Sequence, residues 1–204
     1  WASPECLCGW APSVFLCRWA RSVFLCRWAR SSECLCGWAT TGWTASAAII
    51  AAINAVVTHF GPVHGILGHS FGAGNSLLAW ERFGFEVSRM ALIGCFSNAT
   101  WVTEHFGEIL GIPEAVLVEM RATLERRYEG KLNWASLDIG RFAQSYPGEL
   151  LMVHDRDDHE IPYFHAEKIV ATAARPGVSL MSTSGQGHRR ILRDQQVIAR
   201  VTNF

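Results

Sequence analysis

The chain has 204 residues, half of them hydrophobic, and its 18 Lys and Arg balance 18 Asp and Glu for a formal net charge of zero. That balance excludes a basic nucleic-acid binder working by bulk charge and an acidic disordered chain. The nearest approach to a long uncharged apolar run, Ala45 to Val57, contains Ser46 and Asn54 and is shorter than the roughly 20 residues a membrane-spanning helix needs.

Composition divides the chain near Gly42. The first 43 residues hold six of the seven Cys and six of the nine Trp, with a formal charge of +2, and the remainder carries −2. This first segment is an internal repeat, SPECLCGWA, PSVFLCRWA, RSVFLCRWA and RSSECLCGWA, with Trp1, Trp10, Trp19, Trp28 and Trp38 nine, nine, nine and ten apart. A nine-residue step turns a helix through roughly 900°, and on a strand an odd step changes face, so neither gathers the Trp into one stripe for packing. Four readings compete. A tandem DNA repeat in an open frame, or a misplaced gene start, gives this pattern without a selected fold. A metal site on Cys6-Leu7-Cys8 and Cys34-Leu35-Cys36 would have a single intervening residue where structural zinc usually has two to four. A disulfide framework lacks an accompanying secretory signal. A membrane-surface role is opposed by arginines that share no helical face. Residues 1–43 are expected to be a disordered or non-native low-complexity segment, and no function is attached to them.

From Thr44 onward the chain alternates between helical and strand patterns. Thr44 or Ser46 can cap a helix through Ala45–His59, which Gly61-Pro62 stops. The apolar run Val63–His69 predicts a first buried strand, and Ala73–Phe83 a helix closed by Gly84. Arg89–Cys95, Glu149–His154 and Val178–Thr183 predict three more strands, with helices at Tyr163–Ala173 and Asp194–Val201. Continuous apolar strands alternating with helices imply an α/β fold, a parallel sheet covered on both faces. Between the second and third of these strands, Trp101–Leu110 and Pro113–Tyr128 read as helices, with Pro113 in the first turn and Gly130 after the end. Val116, Met120 and Leu124 form an apolar stripe there. Inserted after a strand's C-terminal end, such helices would lie over the ligand edge of the sheet as a lid, with Asp138–Ser145 returning the chain.

Ser70 lies in Gly68-His69-Ser70-Phe71-Gly72, a G-x-S-x-G motif between an apolar strand and a helix. This is the context of a nucleophile elbow, whose tight turn thrusts the hydroxyl out at the strand end. The helix that follows points its amide end at the reacting centre, and the Phe71 N–H can stabilise an oxyanion. After the third strand, His154-Asp155-Arg156-Asp157-Asp158-His159-Glu160-Ile161-Pro162 offers three aspartates. Asp158, four residues before Pro162, is the expected acid, with Asp155 and Asp157 loop-shaping or exposed. After the fourth strand, His188 sits on the glycine-rich Gly185-Gln186-Gly187 loop, where a base is expected. The chain order Ser, acid, His is that of α/β hydrolases. His188 would act as general base on Ser70, with Asp158 fixing its tautomer. His69, His154, His159 and His165 are nearby alternatives without a glycine-flanked loop after a strand.

Taken in order, GHSFGAG, ALIGC, VHDRDDHEIP and GQGHRRIL resemble the C-terminal two-thirds of α/β-hydrolase-fold serine hydrolases of the bacterial carboxylesterase kind, from about Thr44 to Phe204. The resemblance implies a parallel sheet lacking its N-terminal strands, with a helical cap at about residues 97–146. It implies a serine hydrolase acting on a carboxylic ester or thioester through an acyl-serine intermediate. Members of this superfamily also cleave amides, epoxides and carbon–halogen bonds or transfer acyl groups, but the halide branch uses an Asp nucleophile. A small ester-type substrate is the implied partner, with no nucleic acid, membrane span, cofactor or metal, and the oligomeric state left open. No signal peptide is visible and Cys95 is unpaired within the hydrolase part, so a cytoplasmic location is expected. The departure lies at the N-terminus, where the family has further strands and a His-Gly-type loop supplying a second oxyanion donor. The repeat in their place leaves the Ser70 strand with a bare edge. Loss of one such donor costs roughly 10²–10³ in kcat. The alternative reading is therefore a truncated, catalytically inactive fragment of this fold.

Overall fold

Among the described residues six strands form one sheet in chain order: β1 (Phe15–Trp19), β2 (Ser22–Cys26), β3 (Gly65–His69), β4 (Arg89–Ile93), β5 (Glu149–Asp155) and β6 (Val178–Thr183). The computed structural model describes residues 15–19, 22–26, 38–61, 63–129 and 132–204, with side chains from Ser46 onward. β1 and β2 form an antiparallel hairpin, and each pair from β2 to β6 is parallel. β3 to β6 are the four parallel strands whose ends carry the candidate site.

Period-two alternation explains how this sheet is covered. Ile66, Met90, Leu92, Leu150 and Met152 face one side, where they meet Ile50, Ile53 and Val57 of α1 (Trp38–Phe60) and Leu77 of α2 (Phe71–Phe83). Ala91, Ile93, Leu151 and Val153 face the other side, against Ile191 and Val197. Every strand side chain in these two sets is buried, and each large one contributes roughly 1.5–3 kcal/mol relative to exposure. Strands buried on both faces carry no polar alternation, and that is why their sequences read as continuous apolar runs.

The chain leaves the sheet after β4 and forms α3 (Ala99–Leu110) and α4 (Glu114–Arg127) before α5 (Ile139–Ser145) rejoins the main core. An antiparallel bridge between Asn98 and Asp138 pins the two ends of this excursion together, reinforced by Ile139 N–H to Ser97 O at 2.9 Å. Leu124, Leu132 and Leu137 form a small separate core inside it, packed on Leu78 of α2 and Phe142 of α5. The last three helices are α6 (Phe164–Ala173), the short α7 (Gly187–Arg190) and α8 (Gln195–Thr202). Asp194 caps α8 by accepting from Gln196 N–H and Val197 N–H.

Three expectations change. The first long helix begins at Trp38, well before a cap at Thr44 or Ser46, and so crosses the compositional seam. Gly42 does not stop it, since an interior glycine costs a helix only about 1 kcal/mol. The edge of β3 is not bare, because β2 pairs with it in the register Ser22↔Gly65 to Leu25↔Gly68. The β-forming Val-Phe-Leu segment of one repeat thereby satisfies the edge groups of β3, with α1 as the crossover between two parallel strands. In α4 the buried positions are Leu117 and Leu124, and Val116 is exposed. The apolar face runs 117, 120, 124, one position on from the expected start. The Cys6-Leu7-Cys8 and Cys34-Leu35-Cys36 pairs, Pro62 and Gly130 lie outside the described residues. Among the described residues no helix is long and apolar enough to cross a membrane.

Candidate active site

Because β3 to β6 are parallel, the residues that follow them share one edge of the sheet. Ser70 follows β3, Gly94 follows β4, the Arg156–Pro162 loop follows β5 and the Ser184–His188 turn follows β6. Ser70 occupies the single position between β3 and α2, with φ 56° and ψ −122°. A left-handed φ costs a non-glycine residue about 1–3 kcal/mol, and here the strand before it and the helix after it enforce it. Ser70 N–H bonds Ile93 O at 2.9 Å, and Ser70 O accepts from Ala73 N–H at 3.0 Å. Gly68 is required by the same turn, since a Cβ there would stand 2.6 Å from Ala73 Cα. Phe71 opens α2, so its N–H has no partner within the helix.

Asp158 and His188 meet across the edge. His188 Nδ1–H donates to Asp158 Oδ2 at 2.7 Å, and both side chains are almost fully buried. The other carboxylate oxygen of Asp158 accepts from Glu160 N–H and Ile161 N–H, both at 2.9 Å. Burial pushes the Asp158 carboxyl upward, but hydrogen bonds from His154, His188 and the Ile161 amide outweigh it and hold it well below the carboxylate range. Gly94 makes room for this pair. With φ +57°, it passes so close that a Cβ would lie 3.0 Å from His188 Cε1 and 3.1 Å from Nδ1. Ser70 N–H is tied to Ile93, the residue before Gly94, so the Ser70 backbone and the His188 ring meet neighbouring residues at the end of β4. Among the described residues Ser70 Oγ makes no hydrogen bond. The structure thus joins Asp158 to His188 and places Ser70 on their edge, without an Oγ–imidazole bond.

Of the four other histidines considered, two enter this network. His69 Nε2–H donates to the backbone O of His188 at 2.9 Å, and the two rings pack with centroids 4.7 Å apart. Burial, then the neighbouring His188, lowers its pKa to about 4. His154 Nε2–H donates to Ile161 O at 2.7 Å and lies 3.5 Å from Asp158 Oδ2. Since a carbonyl only accepts, both rings carry a proton on Nε2, and neither buried Nδ1 has a hydrogen-bond partner. His165 sits deeper, accepting at Nδ1 from Ser97 N–H at 3.2 Å with Trp101 packed edge-on against its ring. Burial, then His154, lowers its pKa to about 4. His159 is exposed. His69 stands next to Ser70 in sequence and His154 opens the aspartate-rich loop after β5, but their partners, His188 O and Ile161 O, are not visible in those positions.

No protein-family profile matches the sequence, and no curated protein matches it. Solved structures do. An α/β fold family hydrolase from Bacillus anthracis superimposes with a TM-score of 0.54 at 13% identity, covering 78% of this chain and 73% of its own. The esterase domain of a Rhodothermus marinus protein gives 0.52 at 18%, over 76% of this chain and 63% of its own. The chain has the α/β-hydrolase fold. A meta-cleavage product hydrolase from Pseudomonas fluorescens gives 0.50 at 18%, over 77% and 70%.

Proposed function

We propose that this α/β-hydrolase-fold chain is a serine hydrolase that cleaves a carboxylic ester or thioester through an acyl-Ser70 intermediate. The observation that carries the reading is the 2.7 Å His188–Asp158 hydrogen bond on the same sheet edge as a serine held at φ 56°. The names of the structural neighbours, an esterase domain and hydrolases among them, support the same chemistry. His188 Nε2 takes the Ser70 hydroxyl proton as Oγ attacks the carbonyl carbon, and Asp158 stabilises the imidazolium that results. The Phe71 N–H donates to the oxyanion of the tetrahedral intermediate, assisted by the N-terminal end of α2. Collapse breaks the bond to the alcohol or thiol, which leaves with the proton from His188. Water, deprotonated by the same imidazole, then attacks acyl-Ser70, and the acid departs with the serine restored.

Reaction with a fluorophosphonate probe tests this directly. The expected result is one adduct on Ser70 in the wild type and none in Ser70→Ala, together with turnover of p-nitrophenyl esters that Ser70→Ala lacks. Folded wild-type protein that neither forms the adduct nor turns over the ester overturns the reading.

A further inference from the structure

The turn that delivers His188 should be loose. Gly185 and Gly187, on either side of Gln186, adopt φ +78° and +63°, and glycines lose more conformational freedom than any other residue when fixed. Two carboxylates from the end of β5 hold its backbone. Asp157 Oδ2 accepts from Gly185 N–H at 2.7 Å, and Asp155 Oδ2 accepts from Gln186 N–H at 3.1 Å and from the Thr183 hydroxyl at 2.6 Å. Asp155 Oδ1 accepts from Asp157 N–H at 3.0 Å, so the inner carboxylate also orients the outer. From the other side Arg190 donates to Gly185 O and Gln186 O, at 2.8 and 3.1 Å. Asp155 is fully buried, and no Lys or Arg pairs with it among the described residues. An unpaired buried carboxylate is costly unless strong donors surround it, and the donors here come from β6, from the turn and from Asp157.

We propose that Asp155 is a positioning residue for the base: its carboxylate, extended by Asp157, latches the Thr183–Gly187 backbone and so fixes where the His188 ring stands. The proposal rests on the serine-hydrolase reading, and it adds a second carboxylate with a task separate from that of Asp158. Asp158 touches the imidazole, whereas Asp155 acts on the backbone that carries it.

The test compares Asp155→Asn with the wild type in ester turnover, in the rate of Ser70 labelling by the fluorophosphonate, and in the downfield proton resonance of the His188 Nδ1–H. A misplaced base slows chemistry without touching substrate binding, so kcat and the labelling rate are expected to fall about 10- to 100-fold with KM within about twofold. The downfield resonance should broaden or vanish. Thr183→Val, which removes one donor, should give a smaller fall, and Thr183→Ser should restore turnover. Asp155→Asn with wild-type kcat, labelling rate and resonance overturns the latch, as does a rise in KM at unchanged kcat. Should Asp155→Asn not fold, Thr183→Val and Asp157→Ala decide, and unaltered kcat in both overturns it. Wild-type protein that is never labelled overturns the hydrolase reading itself, an outcome distinct from a labelled wild type with an indifferent Asp155→Asn.

Discussion

Asp158 keeps its charge in the interior because four donors converge on it. Two backbone amides take one oxygen, while His188 and the more distant His154 approach the other. The amide bonds leave the carboxylate no rotational freedom, so its second oxygen faces His188 before any substrate arrives. Replacing Asp158 by Asn keeps the shape but presents an amide that no longer fixes the Nδ1–H tautomer. The expected result is a loss of roughly 10³–10⁴ in kcat on a p-nitrophenyl ester, measured by steady-state kinetics with folding checked by circular dichroism. Asp158 was singled out among three aspartates for its place four residues before Pro162, and the amides of Glu160 and Ile161 that it accepts follow from that turn. The hydrogen bond from His69 to His188 was illegible, since it joins residues 119 apart in sequence. Such a contact exists only once the sheet has aligned two strand ends.

The elements put these residues in place, and Gly94 shows how closely. Just past the end of β4, Gly94 runs so close to the His188 ring that a side chain there would press on the imidazole. Gly94→Ala would add a methyl group against the imidazole at a backbone conformation unfavourable to alanine. We expect a loss of about 1–3 kcal/mol in stability, read by urea unfolding, and a fall of at least about tenfold in kcat. The four strands β3 to β6 were all visible in the sequence; burial on both faces leaves β4 and β5 a continuous apolar signature, while β6 has no fully buried residue. The start of α1 was not, because compositional change and helix termination are different physical events. Nor was the choice between Val116 and Leu117, since neighbouring aliphatic residues fit a 3.6-residue period almost equally well. The close approach of Leu117 to Gly107 on α3, a tertiary contact, settles that face.

At the scale of the whole molecule, the histidines buried as neutral rings make stability depend on acid. His69 and His165 have folded-state pKa values near 4 against an ordinary 6.5. Above pH 6.5 they are neutral whether folded or not and contribute no pH dependence. As pH falls from 6.5 towards 4 the unfolded chain takes up protons that the folded chain refuses, and stability declines by about 1.4 kcal/mol per pH unit for each ring. Asp158, held below its ordinary value, adds its own loss only at lower pH, as its unfolded form begins to protonate near 3.8. Urea unfolding at pH 7, 6 and 5 should therefore show falling midpoints, and His165→Gln should remove about half of the trend.

The bridge between Asn98 and Asp138 has a consequence for how this molecule could diversify. Entrance and exit of the excursion meet at one point, so what hangs between them contributes little to closing the loop, whose entropy grows only slowly with length. Ser70, Asp158 and His188 all lie outside it. A longer, shorter or unrelated hood could be grafted onto that doorway while the edge holding Ser70, Asp158 and His188 kept its shape, and under the proposed hydrolysis the taste for one acyl group or another would be free to drift.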